Sequence, residues 1–385
     1  MLTTADNELL CRIGAGTPMG RMVRRYWIPA LQSRDLVAGS VPKRVRLLGE
    51  DVVALRGRGE RAEVRDERTS RAYPAYEAGG LVWAYLGPAG TEPPPMNFPF
   101  TTVEPEFRHI MQARVECNWV QCLEGVIDSS HTNILHQNLV SPAAVEATLM
   151  SDDFRARRPS ADLRPRMETQ DTAYGYRYAA IRTPIVEPET TKYVRVTLFI
   201  APIYAIFPPP KNWTWMQAFV PIDDTHTMFY FIQFKNDAPL DDTVRAKSSA
   251  GSGLREGIDL DADYRLTATR ENNWLQDRAA MMRGENFSGL TGVNIEDLAV
   301  QESMGPLYDR SKEHLGTSDI PVIRMRRLML DAARRFAETG EPPPGLAEPV
   351  PYHRLSAEEK IVPIDTPWQT VGAFAGEPTH ATANR

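Results

Sequence analysis

Four side chains that can bind or orient a metal ion lie within one short segment, residues 118–140. Two are histidines, His131 and His136, and two are acids that precede them, Glu124 and Asp128. Residues three or four apart share one face of an α-helix, so Glu124, Asp128 and His131 would lie together on a helix. On a continuous helix, His136 would point about 140° away from His131. The two histidines therefore bind one ion only if the helix ends or distorts between them.

The residue types favour a redox metal. Two neutral imidazoles and one carboxylate, with other positions open, form the ligand set of non-haem Fe(II) oxygenases. The third ligand must come from elsewhere, and Asp297 is the first choice, with Glu296 and Asp277 as weaker candidates. Asp297 also lies three residues after Asn294, so a helix capped by Asn294 would give Asp297 a capping role instead. From the residues alone, a capping role for Asp297 and a purely structural role for the histidines both stay open.

Hydrophobic periodicity predicts the elements that must position these groups. Residues 118–136 have helical spacing. The clearest helix spans residues 318–340, where Ser318 can cap the start, Pro321 fits the first turn and Gly340 can end it. Segments rich in aromatic and β-branched residues predict a broad antiparallel sheet. These segments are residues 174–185, 192–208, 213–223 and 226–234.

Two arginines, Arg182 and Arg195, lie on these predicted strands. Either can face a carboxylate of a substrate, although an arginine that points outward to solvent is the more common arrangement.

Composition and charge indicate an ordinary globular protein. The chain has 385 residues, 42% of them hydrophobic and 24% charged, and its net charge is −6. This charge argues against a nucleic-acid partner, and no apolar run is long enough to cross a bilayer. The first residues lack the basic and apolar regions of a secretory signal. The three cysteines, Cys11, Cys117 and Cys122, are typical of free thiols in a reducing cytoplasm, where we expect the protein.

Residues 118–136, NWVQCLEGVIDSSHTNILH, resemble the metal-binding segment of the Rieske-type ring-hydroxylating oxygenases, in the phthalate dioxygenase-like branch. The family pattern is an acid, two residues, a histidine, four residues and a histidine, and Asp128, His131 and His136 fit it. Residues 294–330 are similar to the C-terminal signature of that branch, whose acid falls on Asp297. The resemblance extends over nearly the whole chain.

The resemblance implies a role for each of these residues. His131, His136 and Asp297 would hold a mononuclear Fe²⁺, and O₂ would react there with a small aromatic substrate. Asp128 would be the electron-transfer bridge to a cluster in the neighbouring subunit of a trimer. Glu124, one turn earlier, would be a possible group of the outer shell around the metal ligands.

The resemblance also implies an α+β fold. Residues 1–107 would be a truncated all-β N-terminal domain of Rieske type. Residues 108–350 would be a helix-grip catalytic domain, in which an antiparallel sheet wraps around a long helix. Residues 351–385 would be a C-terminal tail. The proline-rich segment 91–100 is the connector between the first two parts.

The sequence departs from the family at the [2Fe–2S] cluster. A Rieske cluster takes two cysteines and two histidines, which the family supplies as Cys-x-His and Cys-x-x-His. Here no histidine precedes His109, and Cys11 is the only cysteine before Cys117. In the family the first pair follows Asp-Glu-Arg, whereas here residues 66–68 run directly into sequence that resembles the region beyond the second pair. The cluster ligands are therefore missing, and electrons must come from outside this chain.

Four explanations fit this departure: an artefact in the gene sequence, a decayed gene, a different electron donor, and a mixed trimer with cluster-bearing relatives. We expect an oxygenase that hydroxylates or O-dealkylates an aromatic and possibly carboxylated substrate, with a reductase or a cluster-bearing protein as partner. The alternative is a catalytically inactive ligand-binding or regulatory relative that uses the same cavity. A zinc hydrolase is less favoured, because no general base is evident beside the ligands.

Overall fold

The computed structural model describes residues 1–57, 61–136, 160, 162–208 and 213–372. The end of the 118–140 segment and the last residues of the predicted tail lie outside these ranges. The helices are α1 (Thr4–Cys11), α2 (Pro18–Val23), α3 (Pro99–Thr102), α4 (Trp119–Ile127), α5 (Thr132–Leu135), α6 (Asp242–Ser252), α7 (Arg278–Met282), α8 (Val293–Ser303) and α9 (Ile320–Thr339).

The strands fall into two groups along the chain, one on each side of the proline-rich connector. They are β1 (Ile28–Gln32), β2 (Lys43–Leu47), β3 (Glu50–Arg56), β4 (Ala62–Asp66), β5 (Ala72–Tyr73), β6 (Ala75–Ala78), β7 (Leu81–Ala84), β8 (Arg108–Val115), β9 (Arg166–Thr172), β10 (Gly175–Arg182), β11 (Thr191–Ile200), β12 (Tyr204–Phe207), β13 (Thr214–Pro221), β14 (Thr227–Phe234) and β15 (Glu359–Pro363).

The first seven strands form two small sheets, β1-β7-β6 and β2-β3-β4-β5. A tight turn at Leu48 and Gly49, both with positive φ, joins β2 to β3. A second tight turn joins β4 to β5 at the place where the family carries its cluster segment. In this turn the Asp66 carboxylate accepts the backbone N–H groups of Arg68 and Thr69, and the Asp66 N–H donates to the carbonyl of Arg71. Backbone groups of the Asp66–Arg71 turn are thus hydrogen-bonded to other groups of the same turn.

The later strands form one antiparallel sheet in the order β8-β14-β13-β12-β11-β10-β9, with β15 beside the first half of β11. Every residue of β10 is buried. On one face Tyr176 and Tyr178 donate to the carbonyls of Pro321 and Ile127, and on the other Arg177 donates to the carbonyls of Gln369 and Val371. Strand β15 lies within residues 351–385, so part of the predicted tail belongs to the sheet.

The long helix α9 packs against β9 and β10 and against α1 and α2, while α4 packs against β12 and β13. Pro321 lies in its first turn and Gly340 ends it with a φ of 74°, as predicted. The predicted cap is wrong: a short 3₁₀ turn, Thr317–Asp319, contains Ser318, and Asp319 precedes the helix. An antiparallel sheet packed by separate helices confirms the α+β class, while the boundaries at residues 107 and 350 stay predictions. No helix within the described ranges is long and apolar enough to span a membrane.

Candidate metal centre

The helix that carries the acids ends before the histidines. The Asn118 side chain caps α4 by accepting the N–H of Val120, and the helix stops at Ile127. Asp128 is extended, with φ −77° and ψ 100°. His131 and His136 then flank the single turn α5, and their ring centroids lie 5.2 Å apart. Helix α4 thus ends before both histidines, and α5 ends at His136, whose backbone leaves the helical conformation with φ −89° and ψ 40°.

The carboxylate comes from α8, which begins after Gly292 and not at Asn294 as predicted. Gly292 has a φ of 103°, and a Cβ atom there would lie 2.5 Å from the Cα atom of Gly253. Only glycine tolerates that combination. Asn294 is buried inside the helix, so the expected cap is wrong. Asp297 lies beyond the first turn, and its carboxylate is free to face the histidines.

The three predicted ligands converge. The Nε2 atoms of His131 and His136 lie 3.4 Å and 3.2 Å from the same Asp297 oxygen, Oδ1. All three ligand atoms lie within 4.8 Å of one another. Two imidazole nitrogens and one carboxylate oxygen at this spacing can hold a divalent ion with several positions left open.

The outer nitrogens of both imidazoles are held by acceptors. Glu296 Oε2 lies 2.6 Å from Nδ1 of His136, and Ser288 donates its hydroxyl to the other Glu296 oxygen. The backbone carbonyl of Asp128 lies 2.5 Å from Nδ1 of His131. Each acceptor requires a proton on Nδ1, which leaves Nε2 with a free lone pair for a metal. Glu296, a weaker candidate for the third ligand, thus orients a histidine instead.

The ligand charges are coupled in the metal-free chain. Burial would lower the pKa of His136, but hydrogen bonds to Asp297 and Glu296 raise it to about 9. The pKa of His131 is likewise raised, because Asp297 outweighs burial. Burial would raise the pKa of Asp297, yet the two histidines lower it to about 2. A divalent cation bound at this point would supply the positive charge that Asp297 otherwise finds in the histidines.

Asp128 lies at the edge of this centre. Its carboxylate is 30% exposed and lies 3.8 Å from Nδ1 of His131, beyond hydrogen-bond distance. One carboxylate oxygen accepts the N–H of Ser130. Asp128 therefore orients His131 through its backbone carbonyl and keeps a carboxylate that another molecule can reach.

The structure places Glu124 and Asp277 away from the ligands. Glu124 pairs with two buried guanidinium groups, Arg310 at 2.8 Å and Arg326 at 2.6 Å. Arg326 also pairs with Glu313, so the four side chains form one buried ion network between α4 and α9. Asp277 accepts the N–H of Ala280 at the start of α7 and acts as a helix cap. Glu124 thus holds α4 in place and does not contact either histidine.

A cavity of about 530 Å³ opens beside the ligands. Its volume falls in the range of roughly 300–1,000 Å³ that is typical of small-molecule sites. Phe207, Trp215 and Phe231 form one wall, with ring centroids 5.4 to 6.2 Å apart. This wall suits a flat aromatic ring.

Arg182 and Arg195 both line the cavity, so the outward-facing alternative is wrong for both. Arg195 is paired with Glu359 at 2.8 Å. The side chain of Arg182 is 4% exposed and donates to the backbone carbonyls of Ser129 and Asp162. Burial lowers the pKa of Arg182, and in the part of the chain described here it pairs with no carboxylate. It is a buried cation suited to an anionic ligand.

Comparisons with known proteins show the family of the chain. A family model described as "LigXa C-terminal domain like" matches residues 84–383. The phthalate 4,5-dioxygenase oxygenase subunit of Pseudomonas putida is 37% identical, over 96% of this chain and 94% of that protein. The 3-chlorobenzoate-3,4-dioxygenase oxygenase subunit of Comamonas testosteroni is 32% identical, over 96% and 98% of the two chains.

A solved structure shares the fold. The terminal oxygenase of carbazole 1,9a-dioxygenase from Nocardioides aromaticivorans IC177 has a TM-score of 0.52 and 15% identity, over 86% of this chain and 97% of that one. The family match and the two relatives together establish that the chain belongs to the Rieske-type ring-hydroxylating oxygenases, as an oxygenase subunit of the phthalate dioxygenase-like branch.

Proposed function

We propose that this subunit oxygenates a small aromatic acid at a mononuclear Fe²⁺ held by His131, His136 and Asp297, with electrons from another polypeptide. The observation that carries the proposal is the convergence of two imidazole Nε2 atoms on one Asp297 oxygen beside an aromatic-walled cavity. The donor set fits ferrous iron, since it is the two-histidine, one-carboxylate set of non-haem oxygenases. Ferrous iron bound there would supply dioxygen activation next to the substrate.

The residues of the chain position the substrate and control water. The rings of Phe207, Trp215 and Phe231 give the ring of the substrate an apolar surface and displace water from it. Glu296 and the Asp128 carbonyl keep both imidazoles in the tautomer that offers Nε2 to the metal.

Arg182 supports a carboxylated substrate. Its guanidinium faces the cavity without an acidic partner in the described ranges, whereas the charge of Arg195 is matched by Glu359. An aromatic carboxylate would supply the missing anion. The two relatives above are named for phthalate and 3-chlorobenzoate, both aromatic acids. Ring hydroxylation, cis-dihydroxylation and O-dealkylation are all compatible with the site.

An external electron donor follows from the N-terminal region. It holds one cysteine and no histidine before His109, so its residues do not fit a Rieske cluster. The alignment with the phthalate 4,5-dioxygenase subunit runs over 425 residues, more than the 385 of this chain, so part of that relative has no counterpart here. The Asp66–Arg71 turn closes the hairpin at the expected position. We assign Asp128, with its accessible carboxylate, as the bridge to the donor, in a homotrimer or a mixed trimer.

The second candidate is an inactive ligand-binding relative. The missing cluster ligands favour it, but the converged metal ligands and the relatives named as oxygenase subunits favour the enzyme. Loss of catalysis would remove the reason to keep two histidines in their metal-binding tautomers.

Peroxide-driven turnover tests the proposal, because hydrogen peroxide supplies both the oxygen atom and the two electrons. The chain would be loaded with Fe²⁺ without oxygen, its iron measured, and then mixed with peroxide and phthalate, 3-chlorobenzoate or 3-methoxybenzoate. For hydroxylation, one C–H bond and one peroxide become one C–OH group and one water. We expect one iron per chain and a hydroxylated or demethylated product.

The matched variants are Asp297→Ala, which should lose both iron and product, and Asp277→Ala, which should keep both, since Asp277 only caps a helix. Acid binding without iron or product would support the ligand-binding relative and overturn the proposal.

A further inference from the structure

Gln301 lies one helical turn after Asp297 on α8 and lines the same cavity. Residues four apart share a helix face, so its side chain lies on the ligand side of α8. Gln301 is 6% exposed. Its Oε1 atom is buried and has no hydrogen-bond partner in the described part of the chain. Buried polar groups are normally paired, so this carboxamide needs an explanation.

A neighbouring buried glutamine shows the usual arrangement. Gln121 donates to the carbonyls of Gln301 and Gly305 and accepts the N–H of Tyr308. Both the nitrogen and the oxygen of its carboxamide are therefore hydrogen-bonded within the fold. Gln301 contributes only its backbone carbonyl to that arrangement, and its own carboxamide makes no comparable contact among the described residues. The Gln301 carboxamide therefore lies beside the cavity with its oxygen unpaired among the described residues.

The opposite helix leaves room for this group. Gly125 lies on α4, three residues before Asp128, and also lines the cavity. A Cβ atom at position 125 would lie 2.3 Å from Nε2 of Gln301. Glycine inside a helix is less stable than alanine, so its presence here has a packing reason. That reason is the space that the carboxamide occupies between the two helices that carry the site.

We propose that Gln301 is a specificity-determining residue that hydrogen-bonds a hydroxyl group on the aromatic ring of the substrate. A hydroxyl both donates and accepts, so it pairs with either end of a carboxamide. A methyl group of similar size would leave the carboxamide unpaired, and sites built to bind a hydroxyl discriminate against such analogues. This inference rests on the proposed function and narrows its substrate class to hydroxylated aromatic acids.

Equilibrium binding to the Fe²⁺-loaded chain without oxygen tests the inference. The ligands are 2-, 3- and 4-hydroxybenzoate and the three matching methylbenzoates. At one ring position we expect the hydroxy acid to bind about tenfold more tightly than its methyl counterpart. Gln301→Leu should reduce this preference to about one. Gln112→Leu, which removes a buried carboxamide that pairs with Gln32 outside the cavity, should retain it.

Gly125→Ala separates a binding role from a structural one. The new methyl group displaces the carboxamide without removing it, so the hydroxyl preference should fall. Thermal stability should stay unchanged or rise, because alanine favours the helix. If Gln301 only supports the fold, Gly125→Ala should instead lower the thermal stability and leave the preference for the hydroxyl group unchanged. Iron content and melting temperature of each variant show that it is folded.

Two outcomes overturn the inference: no hydroxyl preference at any ring position in the wild-type chain, or a preference that survives in Gln301→Leu. If the chain binds iron and aromatic acids with no such preference, only the role of Gln301 falls. If it binds neither iron nor any of the acids, the proposed function falls together with the inference.

Discussion

Glu296 Oε2 lies 2.6 Å from Nδ1 of His136, and the neighbouring residue Asp297 approaches Nε2 of the same ring. Consecutive helix residues thus hold the two nitrogens of one imidazole. The pair fixes both the tautomer and the direction of His136.

Replacing Glu296 tests that arrangement. Glu296→Gln should weaken iron binding by roughly 10–100-fold, because the charged acceptor that orients His136 is lost. Anaerobic titration with Fe²⁺ measures the effect. Glu302→Gln is the control on the same helix, since Glu302 bonds Trp274 and the N–H of Glu116 and not a histidine. Equal iron affinity in the Glu296 and Glu302 variants would contradict the assignment.

Asp128→Asn should separate electron delivery from chemistry. With a reductase and a cluster-bearing partner, turnover should fall by an order of magnitude or more, because the charged carboxylate proposed as the bridge to the donor is lost. Peroxide-driven turnover should stay near that of the wild type, because the backbone carbonyl that orients His131 is retained. A parallel loss of both activities would show that Asp128 supports the iron and not the transfer.

Arg182→Leu should weaken the binding of an aromatic acid by about 10–100-fold, since a charge-assisted hydrogen bond contributes about 1.5–3 kcal/mol. The methyl ester of the same acid should bind equally to both proteins, because it carries no charge. The matched control replaces Arg195 and Glu359 together by Leu and Gln, which removes a neutral pair. Binding isotherms of the wild type, Arg182→Leu and the Arg195 and Glu359 double variant measure these affinities. An unchanged affinity of Arg182→Leu for the acid would exclude Arg182 as the residue that binds the carboxylate.

Acid should weaken the buried network around Glu124. Burial would raise the pKa of Glu124, but Arg310 and Arg326 lower it. A lowered carboxyl pKa adds stability above the unfolded value of about 4.3, and that stability is lost as the pH falls through the folded value. Glu124→Gln should therefore cost about 3–5 kcal/mol at pH 7, since it removes the carboxylate partner of the buried Arg310 and leaves Arg326 with Glu313 alone.

The measurement for the Glu124 variant is denaturant unfolding from pH 7 to pH 3, where its stability should depend less on pH than that of the wild type. Glu8→Gln, which breaks an exposed pair with Arg12, should cost less than about 1 kcal/mol. A similar small cost for both variants would show that the buried network adds no net stability.

The sequence predicted the break between the histidines for a physical reason. Residues 131 and 136 cannot share a helix face, so one metal required the helix to end or distort between them. In the structure α4 ends at Ile127, before both histidines, and the single turn α5 between them ends at His136, whose backbone is no longer helical. The choice between Glu296 and Asp297 could not be made from spacing, because both lie on the histidine side of α8. The start of α8 was misplaced because a close backbone approach at Gly292, invisible in the sequence, outweighs the capping preference of Asn294.

The face of β10 on which the Arg182 side chain lies could not be predicted from the sequence either. Alternation along a strand reveals its faces only when one face is exposed, and β10 is buried throughout. Glu124 had the spacing of a site residue, but its partners Arg310 and Arg326 are distant in sequence and reach it only through the packing of α9 against α4. Long-range pairing of this kind leaves no local pattern.

The Asp66–Arg71 turn has a consequence for how the protein matures. It contains neither cysteine nor histidine, so this hairpin closes on backbone and carboxylate contacts alone. Folding of the N-terminal region then demands no sulfide and no iron–sulfur assembly machinery. A host starved of cluster biogenesis should still yield folded, colourless protein that binds ferrous ion when ferrous salt alone is added.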